Sequence, residues 1–338
     1  MSNIKSSYCF DDVLLVPKYS DVISRGDIDL TSCLDGNLNF RLPIISSPMD
    51  TVTEIDMCIG MQSAGGLGII HRYNSIDNQR EMVRIASQIG NTGAAIGVSG
   101  DYLERAQEFY DAGAKVLCVD IAHGHHSMMC HALKVLRNTL GTSIHIMAGN
   151  VATLEGFNDL SDWGADSIRV GIGGGSICST RVQTGHGVPT FQSILDCAQS
   201  DRDVVLIADG GIRNSGDIVK AYSAGADFVM LGSLLAGCAE SPGKVINVDG
   251  DMFKSYRGMA SKDAQIDWRG HVSSIEGVSS IIPCAGSVSD VLSDIETGIR
   301  SGLSYSGAHN IRELQSMSSF ISQTSAGSIE SSTHINNR

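Results

Sequence analysis

Short apolar runs alternate along this chain with longer segments in which apolar residues recur three and four positions apart. The first pattern predicts buried β-strands and the second predicts amphipathic helices. Strands that alternate with helices favour a parallel sheet, because each parallel connection needs a crossover. The predicted strands are Leu42–Ser46, Leu67–Ile70, Ala94–Val98, Lys115–Asp120, Ser143–Ala148, Ser167–Val170, Val204–Ala208 and Phe228–Leu231. The predicted helices are Glu54–Ala64, Asn78–Ile89, Tyr102–Ala112, Met128–Leu140, Leu154–Trp163, Phe191–Ala198 and Ser215–Ala224.

The number of strands favours closure into a (β/α)8 barrel, for which 338 residues are more than the usual ~250. An open doubly wound sheet would instead carry an early Gly-x-Gly-x-x-Gly turn, and the first predicted strand lacks one. In a barrel, function lies on the loops that follow the strands. The chemically distinctive residues fall there, namely Ser47-Pro48-Met49-Asp50, Asp120, Gly149-Asn150, the loop around Cys178, Asp209-Gly210-Gly211 and Gly232-Ser233. We therefore expect an α/β protein with a single (β/α)8 TIM barrel.

The chain continues well past the eighth predicted strand. Gly243 to Gly286 is predicted to be largely irregular, and a segment of that length is usually functional. Two amphipathic stretches follow, Val288–Ile299 and Asn310–Met317. The Ser/Thr-rich segment 318–338 is expected to be a disordered tail. The predicted organisation is one barrel domain over 1–317, which includes a flap at 243–286 and C-terminal helices.

Charge and hydropathy restrict the partners. A formal net charge of −13 argues against a nucleic-acid partner, because phosphate backbones are bound by basic surfaces. It still permits a small phosphorylated ligand held by backbone amides. The sequence has no apolar stretch near the roughly 20 residues of a membrane span, and its N-terminus lacks a signal-peptide core. A cytoplasmic protein without a membrane partner is expected.

Among nine scattered cysteines without a Cys-x-x-Cys pair, Cys178 stands out by its context. It lies in the run Gly171–Arg181, which holds four glycines and follows an apolar strand. A thiol on such a loop becomes a nucleophile where its surroundings favour the thiolate, and Thr180 is a candidate proton carrier. The alternative is a buried structural cysteine beside a flexible loop. The other eight cysteines are most simply small buried hydrophobic residues, and neither a disulfide framework nor a zinc site is indicated.

Two glycine turns after the last two predicted strands indicate a phosphate site. Asp209-Gly210-Gly211 and Gly232-Ser233 would expose backbone amides, and Ser233 adds a hydroxyl. Asp209 could hold a ribose diol, because a carboxylate accepts two hydrogen bonds at once. The alternative is that these glycines only make tight turns. Sugar-phosphate and flavin-phosphate barrels use the same arrangement, so the ligand stays open.

Two other motifs carry candidate residues with ordinary alternatives. His123, His125 and His126 follow a strand end, but their spacing is not that of a zinc site, and a surface loop is favoured. Asp120, at the strand end itself, is the better functional candidate. Glu276 lies in the long segment and would by position be a solvated surface residue. Folded over the barrel mouth, it would join Thr180 in proton transfer at Cys178.

Taken together, these loops resemble the IMP dehydrogenase / GMP reductase family from about Tyr8 to Met317. The matching runs are FDDVLLVP at 10–17, SSPMDTVTE at 46–54, GSIC-x-TR at 175–181, ADGGIRNSGDI at 208–218, FVMLGSLLAG at 228–237 and YRGMAS at 256–261. The resemblance implies a purine ribonucleotide 5′-monophosphate at the barrel mouth, with Cys178 attacking C2 of the base. It also implies a nicotinamide cofactor, a potassium ion and, by analogy alone, a homotetramer.

The resemblance assigns expected roles to the matching positions. The expected substrate-binding residues are Ser47, Met49, Ser176, Asp209, Gly210, Gly211, Gly232, Ser233, Tyr256, Gly258, Met259 and Ala260. The expected cofactor-binding residues are Asp120, which would face the nicotinamide, Ala122 and Gly171. The expected potassium ligands are the carbonyls of Gly173, Gly175 and Cys178. The expected catalytic residues are Cys178, Thr180 and Glu276.

Of the two branches of the family, the chain looks more like GMP reductase. IMP dehydrogenases carry a long flap with an Arg-Tyr pair that activates water, and most insert two CBS modules; the sequence has neither. The sole Arg-Tyr is Arg72-Tyr73, after the second strand. The resemblance thus implies NADPH-dependent conversion of GMP to IMP and ammonia. The alternatives are an IMP dehydrogenase using NAD, an FMN-dependent barrel oxidoreductase and a non-catalytic nucleotide-binding protein.

Overall fold

A computed structural model describes residues 4–331 of the protein. Its strands are β1 Val13–Leu15, β2 Ser32–Cys33, β3 Asn39–Phe40, β4 Ile44–Ser46, β5 Leu67–Ile70, β6 Thr92–Ile96, β7 Val116–Asp120, β8 His145–Val151, β9 Ser167–Val170, β10 Val205–Asp209, β11 Phe228–Leu231, β12 Val245–Val248, β13 Asp251–Arg257, β14 Ser279–Pro283 and β15 Phe320–Ser322. Its α-helices are α1 Ile55–Ser63, α2 Ile76–Ser87, α3 Tyr102–Asp111, α4 Ser127–Leu140, α5 Leu154–Asp162, α6 Thr180–Thr184, α7 Thr190–Cys197, α8 Ser215–Ser223, α9 Ser233–Ala236, α10 Lys262–Arg269, α11 Val288–Ser306, α12 Ile311–Met317 and α13 Ser325–Glu330.

Strands β4 to β11 pair in parallel and close into a barrel, in which β11 pairs with β4. All eight predicted strands are confirmed, with bounds shifted by a few residues. Adjacent strand residues alternate between two apolar layers, because side chains along a strand point to opposite faces. Ile45 and Ile207 fill the barrel interior, whereas their neighbours Ile44 and Ala208 pack in the layer beneath the helices. This closure brings the loops after all eight strands to one face.

Polar caps fix where the surrounding helices begin. The side chains of Ser75, Thr153 and Asn214 each accept a hydrogen bond from a backbone amide in the first turn of α2, α5 and α8. Helix α2 therefore begins at Ile76, two residues before the predicted start, because Ser75 satisfies one of the amides that a helix end exposes. Within the described part of the chain, no helix has both the length and the apolar character that crossing a membrane requires.

The hairpin of β2 and β3 closes the end of the barrel opposite the loops. Its Phe40 ring packs edge-on against Phe228 of β11, with centroids 5.9 Å apart. Beside it, the buried His145 contacts Asp35 Oδ2 through Nδ1 at 3.0 Å and Ser167 Oγ through Nε2 at 2.8 Å. The barrel floor is therefore an apolar layer with one buried polar cluster.

The prediction that Gly243 to Gly286 is largely irregular is wrong. Strands β12, β13 and β14 form an antiparallel sheet there, and α10 lies in the connection between β13 and β14. The β12–β13 turn is Asp249-Gly250, both at positive φ, which is the dipeptide that a two-residue hairpin turn favours. We use the word flap for residues 243–286 as a whole. An Asp-Gly pair between two apolar runs was the signal for this hairpin.

The expected disordered tail from 318 is corrected in its described part, 318–331. Strand β15 pairs with β1 in antiparallel fashion, with Ser322 opposite Val13. The Phe320 ring packs edge-on against Phe191, with centroids 5.0 Å apart, so an aromatic anchor offsets the weak apolar content of the segment. Residues 332–338, which belong to the same expectation, lie outside the described residues.

Candidate active site

A cavity of roughly 420 Å³ opens at the carboxyl ends of the barrel strands and is roofed by the flap. Its volume is typical of a small-molecule site. The predicted site residues all line it: Ser47, Met49, Asp120, Ala122, Gly171, Gly173, Gly175, Ser176, Cys178, Thr180, Asp209, Gly210, Gly211, Gly232, Ser233, Tyr256, Gly258, Met259, Ala260 and Glu276. The fold therefore brings together residues that lie more than 200 positions apart in the sequence. Their individual roles remain predictions.

Cys178 begins a chain of three hydrogen-bonded side chains. Its thiol is exposed and donates to Thr180 Oγ1 at 3.2 Å, and Thr180 Oγ1 donates in turn to Glu276 Oε2 at 2.8 Å. The turn that presents the thiol is closed by the Cys178 amide, which donates to the Gly175 carbonyl at 3.1 Å. A thiol, a hydroxyl and a carboxylate in this order form a path along which a proton can move.

Glu276 reaches this chain because backbone hydrogen bonds hold its segment on both sides. The Ser179 amide donates to the Glu276 carbonyl at 2.9 Å, and the Glu276 amide donates to the Ala260 carbonyl at 3.2 Å. The Val278 amide donates to the Ile177 carbonyl at 3.0 Å. The flap is thus joined directly to the loop that carries Cys178. The alternative of a solvated surface glutamate does not describe this residue.

Gly232, which follows β11, lies where three side chains converge. A β-carbon built on Gly232 would lie 3.0 Å from the Tyr256 hydroxyl, 3.3 Å from Met49 Sδ and 3.5 Å from Ser47 Oγ. Burial raises the pKa of Tyr256 to about 12, against the opposing effect of a hydrogen bond with Ser176, so the phenol stays a neutral donor at physiological pH. A neutral hydroxyl suits the recognition of an anionic oxygen better than a phenolate would.

Glycine is required where the loops after β9 and β10 meet. Gly171 has φ +148°, and a β-carbon there would lie 1.9 Å from the Asp209 carbonyl oxygen. Gly210 and Gly211 have φ of +89° and +79°, a region that side chains with a β-carbon rarely adopt. These glycines therefore do make tight turns that a residue with a β-carbon would not readily adopt. The turns also leave the backbone beside Asp209 exposed to the cavity.

Arg169, which the sequence analysis did not single out, links two predicted site carboxylates. Its Nη1 donates to Asp120 Oδ1 at 2.5 Å, and its Nε and Nη2 donate to Asp209 Oδ2 at 3.1 and 2.8 Å. Asn150 Nδ2 also donates to Asp209 Oδ2, at 2.8 Å. The bound oxygen of Asp209 is thereby fixed, and its other oxygen is left for a ligand. An arginine within the otherwise apolar run Ser167–Val170 was the signal for this role.

The same contacts set the ionisation of the pair. Burial opposes the charge on Asp120, but the attraction of Arg169 and Arg72 outweighs it and lowers the pKa of the carboxyl. Burial likewise opposes the charge on Arg169, but the Asp209 and Asp120 carboxylates outweigh it and raise the pKa of the guanidinium. Both groups are therefore charged at neutral pH. A buried charge persists only where such partners compensate it.

Aromatic and basic residues that were not predicted line the outer arm of the cavity. Tyr73, after β5, stacks on Trp268 of α10, with centroids 5.7 Å apart and planes 12° from parallel. The guanidinium groups of Arg72 and Arg269 lie 5.6 and 5.9 Å from the centre of the Tyr73 ring. Arg72 also lies 3.7 Å from Asp120 Oδ2. This cluster joins the flap helix to the barrel.

The histidines after β7 have ordinary structural roles, as the surface-loop interpretation expects. His125 Nε2 contacts Asp159 Oδ2 at 2.8 Å, and His126 Nδ1 accepts the Met128 amide at the start of α4. Over residues 4–331, no group of acidic, histidine and cysteine side chains could hold a metal ion. The expectation that the other eight cysteines are buried holds for only four of them. Cys33 and Cys284 are exposed.

A family model for the IMP dehydrogenase / GMP reductase domain matches residues 7–334. The chain belongs to this family. An inosine-5′-monophosphate dehydrogenase from Nitrosopumilus maritimus is 34% identical to it over 98% of both chains. A GMP reductase from Leishmania major is 32% identical over 96% of both. A crystal structure of a GMP reductase variant from Trypanosoma brucei, in complex with guanosine 5′-monophosphate, has a TM-score of 0.93 at 31% identity and covers 98% of both chains.

Membership makes this protein a nicotinamide-dependent oxidoreductase on a TIM barrel, as the sequence predicted. The alignment with the Nitrosopumilus relative runs over 473 positions and the chain has 338 residues, a difference of 135, so that relative carries inserted sequence. In residues 4–331 of this family member the barrel runs through without an inserted CBS pair, which agrees with the prediction. The relatives carry both activities, so similarity alone does not choose between them.

Proposed function

We propose that this protein is a GMP reductase, which converts GMP, NADPH and a proton to IMP, ammonia and NADP⁺. The hydrogen-bonded chain from Cys178 through Thr180 to Glu276 carries the proposal. It places a nucleophile and a proton reservoir at one point of the cavity, which is what the departure of an amino group requires. The GMP complex of the Trypanosoma brucei structure supports a purine monophosphate as substrate.

The cavity offers a separate group for each part of such a nucleotide. The backbone turns at Gly211 and Gly232, with Ser233 and the Tyr256 hydroxyl, would take the phosphate, in the position where barrels commonly bind one. Asp209 would bind the ribose through the oxygen that Arg169 leaves free. Met259 would contact the base. It is held in place by the Asp50 amide, which lies 3.3 Å from its sulfur.

The order of the side chains supports one path for the proton. The Cys178 thiol passes its proton through Thr180 to Glu276, and the thiolate then bonds to C2 of the base while the π pair of the C2–N3 double bond moves onto N3. Glu276 returns that proton through Thr180 to the 2-amino group. The pair on N3 then restores the double bond to C2, and ammonia leaves with the pair of the C2–amino bond. The proton taken from the thiol is thus the proton that ammonia carries away, and Cys178 stays bonded to C2.

The second half of the reaction needs a hydride and the exclusion of water. A bound reduced nicotinamide would supply the hydride that replaces sulfur at C2 and frees the Cys178 thiolate. Asp120, Ala122 and Gly171 also line the cavity, and the nicotinamide would lie beside them. The backbone bonds that hold Glu276 and Val278 against the Cys178 loop place the flap beside the thiol, where it would help to keep water from the intermediate.

Potassium and assembly are further parts of the proposal. The Gly173, Gly175 and Cys178 carbonyls would hold a potassium ion. They belong to one turn, in which the Gly175 carbonyl keeps a second lone pair beyond its bond with the Cys178 amide. We also propose a cytoplasmic homotetramer, on family analogy alone.

One observation favours IMP dehydrogenase as the second candidate. Arg72 and Tyr73, the only Arg-Tyr pair in the sequence, line the cavity, and Arg72 lies 3.7 Å from Asp120 Oδ2. An Arg-Tyr pair activates water in the dehydrogenases that the chain resembles. Here the pair follows β5 instead of lying in the flap, and Tyr73 is engaged in the stack with Trp268.

A paired assay separates the candidates. With GMP and NADPH, a reductase lowers the absorbance of the reduced nicotinamide and releases one ammonia for each NADPH that it oxidises. With IMP and NAD, a dehydrogenase generates that absorbance and yields XMP. Cys178→Ala should abolish either activity while GMP still raises the melting temperature. Turnover only with IMP and NAD would overturn the reductase proposal.

The assay also tests the remaining alternatives. A yellow purified protein whose flavin stays bound in Cys178→Ala would indicate an FMN-dependent oxidoreductase. Stabilisation by GMP without turnover under any nicotinamide would indicate a non-catalytic nucleotide-binding protein.

A further inference from the structure

We infer that Gln265 is the positioning residue for Glu276, a role that rests on the proposed function of that carboxylate. Gln265 lies on α10 and is only 2% exposed. Its side chain forms hydrogen bonds with Ala260, Ser273 and Ser274, all on the segment that leads from Ala260 to Glu276. It therefore acts on the site through the backbone and does not touch the reacting atoms.

Four hydrogen bonds use both ends of the Gln265 amide. Nε2 donates to the Ala260 carbonyl at 3.1 Å and to the Ser274 carbonyl at 2.7 Å. Oε1 accepts from the Ser273 amide at 3.0 Å and from the Ser273 hydroxyl at 3.1 Å. One buried side chain thus ties the start of this segment to its end, across the turn that follows α10.

The hydrogen bonds of Gln265 reach Ser274, which itself bonds to the Glu276 carboxylate. Ser274, whose carbonyl Gln265 holds, donates from its hydroxyl to Glu276 Oε1 at 3.3 Å. The other carboxylate oxygen, Oε2, accepts from Thr180. The Glu276 amide bonds to the same Ala260 carbonyl that Gln265 also holds. Both the backbone and the side chain of Glu276 are therefore oriented by groups that Gln265 fixes.

Removing these hydrogen bonds should displace Glu276 without changing the residues that line the cavity. Gln265→Leu places a slightly shorter apolar side chain in the same buried position and removes the Gln265 bonds to the Ala260 and Ser274 carbonyls and to the Ser273 amide. A displacement of about 1 Å at a catalytic group costs up to about 10²-fold in rate. The step that needs Glu276, release of ammonia, should suffer. Hydride exchange between IMP and the cofactor should suffer less, because no leaving group has to be protonated and the Cys178 thiol can also lose its proton to water.

The matched control is Gln62→Leu, on α1 in the barrel shell. Gln62 Nε2 also donates to two carbonyls, those of Ala86 and Asn91, so the same substitution breaks comparable bonds far from the flap. The melting temperatures of both variants are measured first. Comparable values show that any difference at the site does not come from general loss of stability.

The first measurement needs no turnover. Hydrogen–deuterium exchange over residues 270–279 should become at least tenfold faster in Gln265→Leu and stay unchanged in Gln62→Leu. Unchanged exchange in Gln265→Leu would overturn the positioning role. Because this result does not depend on GMP being the substrate, it stands even if the wild-type protein shows no reductase activity, which would be a failure of the proposed function instead.

The second measurement is a double-mutant cycle. Gln265→Leu should lower kcat for ammonia release about 10- to 100-fold and hydride exchange by less than threefold. In a Glu276→Gln background the same change should cost almost nothing more, because a residue that acts only through Glu276 has no effect once that carboxylate is gone. Additive losses, or equal losses in both steps, would show that Gln265 only supports the fold.

Discussion

The Thr180 hydroxyl lies 2.8 Å from Glu276 Oε2, although 96 positions separate the two residues in the sequence. Thr180 begins α6 directly after the Cys178 loop, and Glu276 comes from the flap. The contact therefore joins the barrel to the flap at the point where chemistry is proposed. It also means that the flap has to be in place before the thiol has its proton acceptor.

Glu276→Gln should lower the release of ammonia from GMP by about 10²-fold or more, because the amide can hold Thr180 but cannot take and return a proton. Hydride exchange between IMP and the cofactor should fall much less. Both rates are measured on the same preparation, by ammonia release and by isotope exchange. The control is Glu296→Gln. Glu296 lies on α11, where its carboxylate pairs with Arg41, and its replacement should leave both rates unchanged. An equal loss of both steps in Glu276→Gln would contradict the proton-transfer role.

Arg169→Lys should weaken the binding of nucleotide and of cofactor together. A lysine keeps the charge but lacks the planar fork by which separate guanidinium nitrogens bond to Asp120 and to Asp209. Loss of charge-assisted hydrogen bonds of this kind costs roughly 1.5–3 kcal/mol, which is about 10- to 100-fold in affinity. Titration calorimetry with each ligand measures both effects.

Asn150→Ala is the matched comparison for Arg169→Lys. Asn150 bonds to Asp209 and to the Gly171 carbonyl but not to Asp120, so its removal should weaken the nucleotide by roughly fivefold and the cofactor by less than Arg169→Lys does. If Arg169→Lys weakened the binding of the nucleotide but not that of the cofactor, cofactor binding at Asp120 would not depend on Arg169.

The sequence predicted the barrel well but did not predict the strands of the flap. The alternation of strands and helices was sufficient to predict the barrel. The spacing of apolar residues in each kind of element is set by local backbone geometry, and the two patterns repeat along the chain. The flap escaped prediction because its strands carry exposed apolar residues such as Val245 and Ile246, without the clear alternation of a half-buried strand. Residue types on loops indicated the site, since glycines, acidic residues and a thiol directly follow several of the predicted barrel strands.

The contacts that organise the site could not be predicted in the same way. Arg169 is one charge in an apolar strand, and Gln265 is one amide in a polar helix, so neither carries a local pattern. Their roles depend on partners 40 and 9 residues away, for Asp209 and Ser274 respectively, whose distance in space is set only by closure of the barrel and folding of the flap.

Tyr73→Ala should loosen α10 from the barrel, because the stack with Trp268 contributes about 0.5–1.5 kcal/mol. The sequence has two tryptophans, so in a Trp163→Phe background Trp268 is the only fluorescent indole. Its emission should shift to longer wavelength and become more accessible to acrylamide in Tyr73→Ala. Tyr73→Phe keeps the ring and should match the parent. Unchanged quenching in Tyr73→Ala would mean that other contacts hold the helix.

His145, on the barrel floor, should make the fold sensitive to mild acid. Burial lowers its pKa in the folded protein below the ordinary 6.5, despite the nearby Asp166 and Asp35, so below pH 6.5 the unfolded chain binds a proton that the folded chain refuses. The free energy of unfolding should therefore fall as the pH drops below 6.5, by at most about 1.4 kcal/mol per pH unit from this one group. Urea unfolding at pH 7.5 and 5.5 should show a smaller loss in His145→Gln than in the wild type, whereas His309→Gln, which changes an exposed histidine, should match the wild type. Equal losses in all three proteins would mean that His145 is protonated in the fold and held by Asp35.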